Sequence, residues 1–127
     1  MTAKFKTIRD QYGRALKKLE EILAEKENDI VRDSAIKRFE ICFDLAWKSL
    51  KIRLEEEKGV ICQSPKDCFR EGYRQGIIDY DELWLKMTDW RNEAVHTYSE
   101  KLAKALYKKL AKALIRFKSL GDRFKGK

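Results

Sequence analysis

Apolar residues in this chain recur at intervals of three and four, and no stretch alternates cleanly at every second position. That spacing places apolar side chains on one face of an α-helix. Phe5, Ile8, Tyr12, Leu16, Leu19 and Leu23 make the first such face. Asn28-Asp29 supplies a stop and a fresh N-cap, and the spacing predicts a second helix from Ile30 to Lys58. Its stripe is Ile36, Phe39, Phe43, Ala46, Leu50 and Leu54, widened by Cys42, Leu45 and Trp47. A stripe that wide predicts contact on two sides, the position of a central helix. Gly59 suits the residue after its end.

Ser64-Pro65-Lys66-Asp67 is a helix start: a capping hydroxyl, a proline at the first helical position and an acid in the first turn. The predicted helix is short, turns Phe69 and Tyr73 inward and ends at Gly76. Asp79 is the predicted cap of a fourth helix, with Leu83, Met87, Trp90 and Ala94 inward and Val95 at the margin. Thr97-Tyr98-Ser99-Glu100 reads as a capping box that breaks the chain and opens a fifth helix. Leu102, Leu106, Leu110, Ala113, Phe117 and Leu120 would line its inner face. The expectation is one all-α domain over residues 1–127, an antiparallel bundle of four to five helices.

Composition narrows the class. Hydrophobic residues at 43% and charged residues at 39% fit a compact helical protein rather than a disordered chain. No apolar run is long enough to span a bilayer, and Met1-Thr2-Ala3-Lys4-Phe5-Lys6 has no secretory core, so the expected location is cytoplasmic with no membrane partner. Cys42, Cys62 and Cys68 are odd in number and lack C-x-x-C spacing; three reduced thiols and no metal site are expected. Glu55-Glu56-Glu57 is expected to face water and cap nothing. Trp47, Trp84 and Trp90 are expected in the core or at a dimer contact.

The net charge of +8 is localised. Residues 1–99 hold 19 basic and 19 acidic side chains, whereas residues 100–127 hold 10 basic side chains against Glu100 and Asp122. Lys101, Lys104, Lys108, Lys112 and Arg116 step by three or four along the last predicted helix, with Lys109 beside them. One cationic stripe of this kind would follow an RNA backbone, and it equally describes a solvated face.

Chemistry concentrates in Arg91-Asn92-Glu93-Ala94-Val95-His96-Thr97-Tyr98. The run joins a fixed cation, an amide, the only histidine and a phenol. Arg91 would bind phosphate, His96 would move a proton near neutral pH, and Asn92 would orient either the histidine or the substrate. RNA brings its own nucleophile, the 2′-hydroxyl, so no metal or other cofactor is required. Cleavage would leave a 2′,3′-cyclic phosphate and a 5′-hydroxyl. On an ideal helix Arg91 and His96 stand about 140° apart, so a fraying helix end or a second copy must bring them together. A solvated Arg-Asn pair and a histidine resting on the helix dipole would show the same spacing.

The same eight residues resemble the R-x4-H-x-Y signature of the HEPN superfamily, in the branch of nucleotidyltransferase substrate-binding proteins. Ile36-Lys37-Arg38-Phe39-Glu40, Ala46-Trp47-Lys48-Ser49-Leu50-Lys51, Ser64-Pro65-Lys66 and Gly76-Ile77-Ile78 are similar to the surrounding pattern, over roughly residues 34–100. The resemblance implies a homodimer that brings two motifs to one cleft. It implies an endoribonuclease toxin in which Arg91, His96 and Asn92 act on RNA. It further implies that a minimal nucleotidyltransferase, encoded by an adjacent gene, silences the toxin by adding AMP to Tyr98. Two other readings remain open: a non-catalytic subunit presenting a nucleotide or substrate to such an enzyme, and a helical dimer that only binds partners.

Overall fold

The computed structural model describes residues 1–96 and 99–125. Those residues form six helices and no strand: α1 (Ala3–Leu23), α2 (Asp29–Lys58), α3 (Pro65–Arg74), α4 (Leu83–Ala94), α5 (Glu100–Tyr107) and α6 (Leu110–Phe124). The predicted fifth helix is thus two helices, divided at Lys108 and Lys109.

Local chemistry sets most boundaries. The Asn28 side chain accepts the Val31 N–H at 2.8 Å and opens α2, and Gly59 closes it with φ of 65°, which costs glycine no Cβ clash. Ser64 accepts the Asp67 N–H at 3.2 Å while Asp67 accepts the Gln63 N–H at 2.9 Å, a reciprocal cap on α3. Ser99 caps α5 by accepting the Leu102 N–H. The predicted cap of α4 is corrected: Asp81, not Asp79, accepts the Leu83 N–H, at 2.9 Å. Asp79 instead pairs with Arg123 at 2.6 Å, because α6 presents a cation beside the loop.

α2 is the central helix and touches every other helix. Its buried face is the predicted stripe of Ile36, Phe39, Phe43, Ala46, Leu50 and Leu54, together with Cys42. Phe5 meets Phe124 and Tyr12 meets Phe117, so α1 and α6 run antiparallel. Phe117 also packs on Phe39 and Trp84, and its carbonyl accepts the Tyr12 hydroxyl at 2.6 Å. Thr2 at the start of α1 donates to Glu56 at the end of α2, which sets those two helices antiparallel and gives the acidic run a role that the sequence did not suggest.

Four further expectations need correction. Tyr73 lies outward, 51% exposed, against Tyr80; Leu102 is 54% exposed, and Val95 is also exposed. Each sits near a helix end, where the neighbouring helix no longer covers the apolar face. Cys62 and Cys68 are not free thiols but a disulfide, since the α3 start folds the chain back and brings their Cα atoms to 5.1 Å. Cys42 is the free cysteine, buried on α2. No helix among the described residues is long and apolar enough to cross a membrane.

Candidate functional site

Arg91 lies in the last turn of α4, on the side facing α2. Its Nε donates to Asp44 Oδ1 at 3.1 Å and its Nη2 to Asp44 Oδ2 at 3.3 Å. This side-on pairing uses one edge of the guanidinium and leaves Nη1 for another acceptor. Both side chains are about one-third exposed, so water and ions reach the pair. Asp44 was not singled out in the sequence. Its signal was an acid set inside the apolar run Phe43-Asp44-Leu45-Ala46-Trp47, but its partner lies 47 residues away.

His96 follows the end of α4 at Ala94, and its backbone N–H donates to the Glu93 carbonyl at 2.9 Å. It borders a recess of about 470 Å³ between the end of α4 and the face of α5, together with Asn92, Glu93, Leu102, Ala105, Leu106 and Lys109. Asn92 and His96 therefore border the same recess, although His96 lies two residues beyond the end of the helix. Arg91 does not line this recess. Within one chain Arg91 is committed to α2, whereas His96, beyond the end of α4, faces the α5 side. Tyr98, the expected site of modification, lies outside the described residues.

The cationic stripe is divided by the break between α5 and α6. Lys104 pairs with Glu100 at 3.1 Å and Arg116 with Asp81 at 2.7 Å, both of which neutralise part of it. Lys101, Lys108 and Lys112 are exposed and have no ion-pair partner among the described residues. Lys109, which flanked the stripe in sequence, places its Nζ 5.5 Å from the centre of the Trp90 ring and forms one wall of the His96 recess.

Comparison with known proteins bears on what this arrangement is. The sequence pattern of the family described as nucleotidyltransferase substrate binding protein like matches residues 8–125. The chain belongs to that family. This family member is 30% identical over 99 residues to the Haemophilus influenzae protein named "Probable ribonuclease HepT", a match covering 72% of this chain and 68% of the relative. A solved Thermus thermophilus protein is 33% identical, with a TM-score of 0.84 over 91% of this chain and 99% of that one. A Haemophilus influenzae structure, reported to reveal the fold of a substrate binding domain of a nucleotidyltransferase, is 25% identical. It has a TM-score of 0.82 over 93% of this chain and 99% of that one. The all-helical architecture is shared with these solved relatives across nearly the whole chain.

Proposed function

We propose that the protein is a homodimeric ribonuclease, the toxin half of a pair whose other member is a minimal nucleotidyltransferase. The observation that carries this reading is the seating of His96 in a recess lined also by Asn92 and Lys109, at the same end of α4 as an arginine that keeps a spare donor edge on the α2 side. The relative named as a ribonuclease supports the same direction. RNA phosphate would accept from Arg91 Nη1 while Asp44 holds the other edge. His96 would remove the 2′-hydroxyl proton as the 2′-oxygen bonds to phosphorus. The bond from phosphorus to the 5′-oxygen then breaks, and that oxygen takes a proton from water. The products are a 2′,3′-cyclic phosphate and a 5′-hydroxyl, and no metal enters the reaction. Arg91 stabilises the crowded phosphorane through charge placed before the reaction begins.

Because Arg91 and His96 face different neighbours within one chain, the reading requires a second copy across the cleft. The test follows from that requirement. Wild-type protein should cleave RNA, and His96→Ala and Arg91→Ala should each abolish cleavage. Mixing the two inactive variants should restore part of the activity, since a mixed dimer would hold one intact Arg91 and one intact His96 in the shared cleft. Wild-type protein that leaves RNA intact would reject the enzyme. Inactive mixtures would reject the shared cleft.

A second reading is favoured by the relative described as a nucleotidyltransferase's substrate-binding domain. In it the His96 recess binds a nucleotide and presents it to a partner enzyme. Binding of ATP or AMP with no RNA cleavage would select it.

A further inference from the structure

At the opposite end of α4 the chain exposes two phenol rings that the bundle does not use. Tyr73 and Tyr80 are 51% and 64% exposed and meet edge to face, with ring centres 5.1 Å apart. They border a recess of about 270 Å³ with Arg70 and Arg74 at its rim. Its apolar side is made by Phe69 and Trp84, which stack at 4.6 Å. Tyr80 also borders a second recess of about 170 Å³, on the side of Arg116 and Arg123.

The surrounding charges are not equally available. Arg74 pairs with Glu71, Arg116 with Asp81 and Arg123 with Asp79. Arg70 is exposed and has no ion-pair partner among the described residues. The surface thus offers aromatic rings open to water, a cavity beside them and one uncommitted cation. A planar base with an attached phosphate satisfies all three: the base covers ring surface and the phosphate takes the guanidinium. A protein loop would cover the rings but would give Arg70 a partner only if an acid happened to meet it.

We propose that this recess binds a nucleobase of single-stranded RNA, stacked on Tyr80 with Tyr73 alongside it and its phosphate on Arg70. It shares no lining residue with the His96 recess. The twelve residues of α4 separate the two ends by about 18 Å. A strand engaged at both would span about five nucleotides or more at stacked spacing. The inference rests on the proposed action on RNA, and it supplies a second foothold that short substrates would miss.

The experiment uses His96→Ala protein, so that binding is read without cleavage. Fluorescence anisotropy with a labelled single-stranded RNA of about twelve nucleotides should show tenfold or greater weakening in Tyr80→Ala. Tyr80→Phe should bind as the parent does. Arg70→Ala should lower the slope of log affinity against log salt by about one. With active protein, Tyr80→Ala should leave cleavage of a dinucleotide unchanged while slowing cleavage of the longer strand. Unchanged strand affinity in Tyr73→Ala/Tyr80→Ala overturns the proposal, even if that variant loses a protein partner. Binding of free AMP as tight as binding of the strand also overturns it, in favour of a mononucleotide site. A wild type that cleaves RNA while the double tyrosine variant binds normally removes this inference alone. A wild type that neither binds nor cleaves RNA removes the proposed function as well.

Discussion

Asp44 on α2 holds Arg91 on α4 along one edge of its guanidinium, with contacts of 3.1 and 3.3 Å. The pair joins the central helix to the turn that carries the candidate motif. It fixes the direction of the arginine while leaving Nη1 unspent. Being one-third exposed, it contributes little to stability, about 1 kcal/mol or less.

Asp44→Ala should therefore barely lower the melting temperature yet reduce RNA cleavage by about tenfold or more, since a misdirected arginine no longer meets the phosphate. Arg91→Ala should cost more activity than Asp44→Ala, and the double variant should be no worse than Arg91→Ala alone. Additive losses in that cycle, measured by single-turnover cleavage, would show that Asp44 does not act through Arg91.

Tyr98 is the proposed acceptor of AMP. Incubation with the partner nucleotidyltransferase and ATP should add the mass of AMP to the wild type and not to Tyr98→Phe. The modified protein should lose cleavage, because a bulky anion attached two residues after His96 in the chain competes with RNA phosphate for the proposed site. Equal labelling of Tyr98→Phe, seen by intact-mass spectrometry, would place the modification elsewhere.

Two apolar positions expected on the same inner face should separate sharply. Phe117 is fully buried among Tyr12, Phe39 and Trp84, so Phe117→Ala should cost about 3–5 kcal/mol in urea unfolding. Leu102→Ala, at a side chain 54% exposed, should change stability by about 0.5 kcal/mol or less. A large loss at Leu102 in the monomer would contradict the placement of α5. A loss that appears only at concentrations where dimers form would place Leu102 in the dimer contact.

Alkaline pH should destabilise the fold through two buried acids. Burial pushes the Cys42 thiol from 9.0 up to about 12. Burial first, and the neighbouring Cys42 second, push the Tyr12 phenol well above its ordinary 10.0. Below pH 9.0 the folded and unfolded chains both keep the Cys42 proton; between 9.0 and about 12 only the unfolded chain releases it. Stability should fall across that window, by about 1 kcal/mol per pH unit for each group once it titrates in the unfolded chain. Urea unfolding across the window measures the slope, and Cys42→Ala should reduce it. A slope that begins well below pH 9.0 would implicate other groups.

The sequence alone determined the helices whose signals are local. The period of the apolar stripe, Asn28, Gly59 and Ser64-Pro65 each act within a few residues of themselves, and the observed α2 and α3 follow them. Tertiary structure decided the rest, because those outcomes depend on residues distant in sequence. Asp79 left its expected cap to meet Arg123, and Glu56 found Thr2. Cys62 met Cys68, and Arg91 turned to Asp44 rather than to His96. A side chain's spacing fixes which face of a helix it occupies; what waits on that face is settled only when the helices pack.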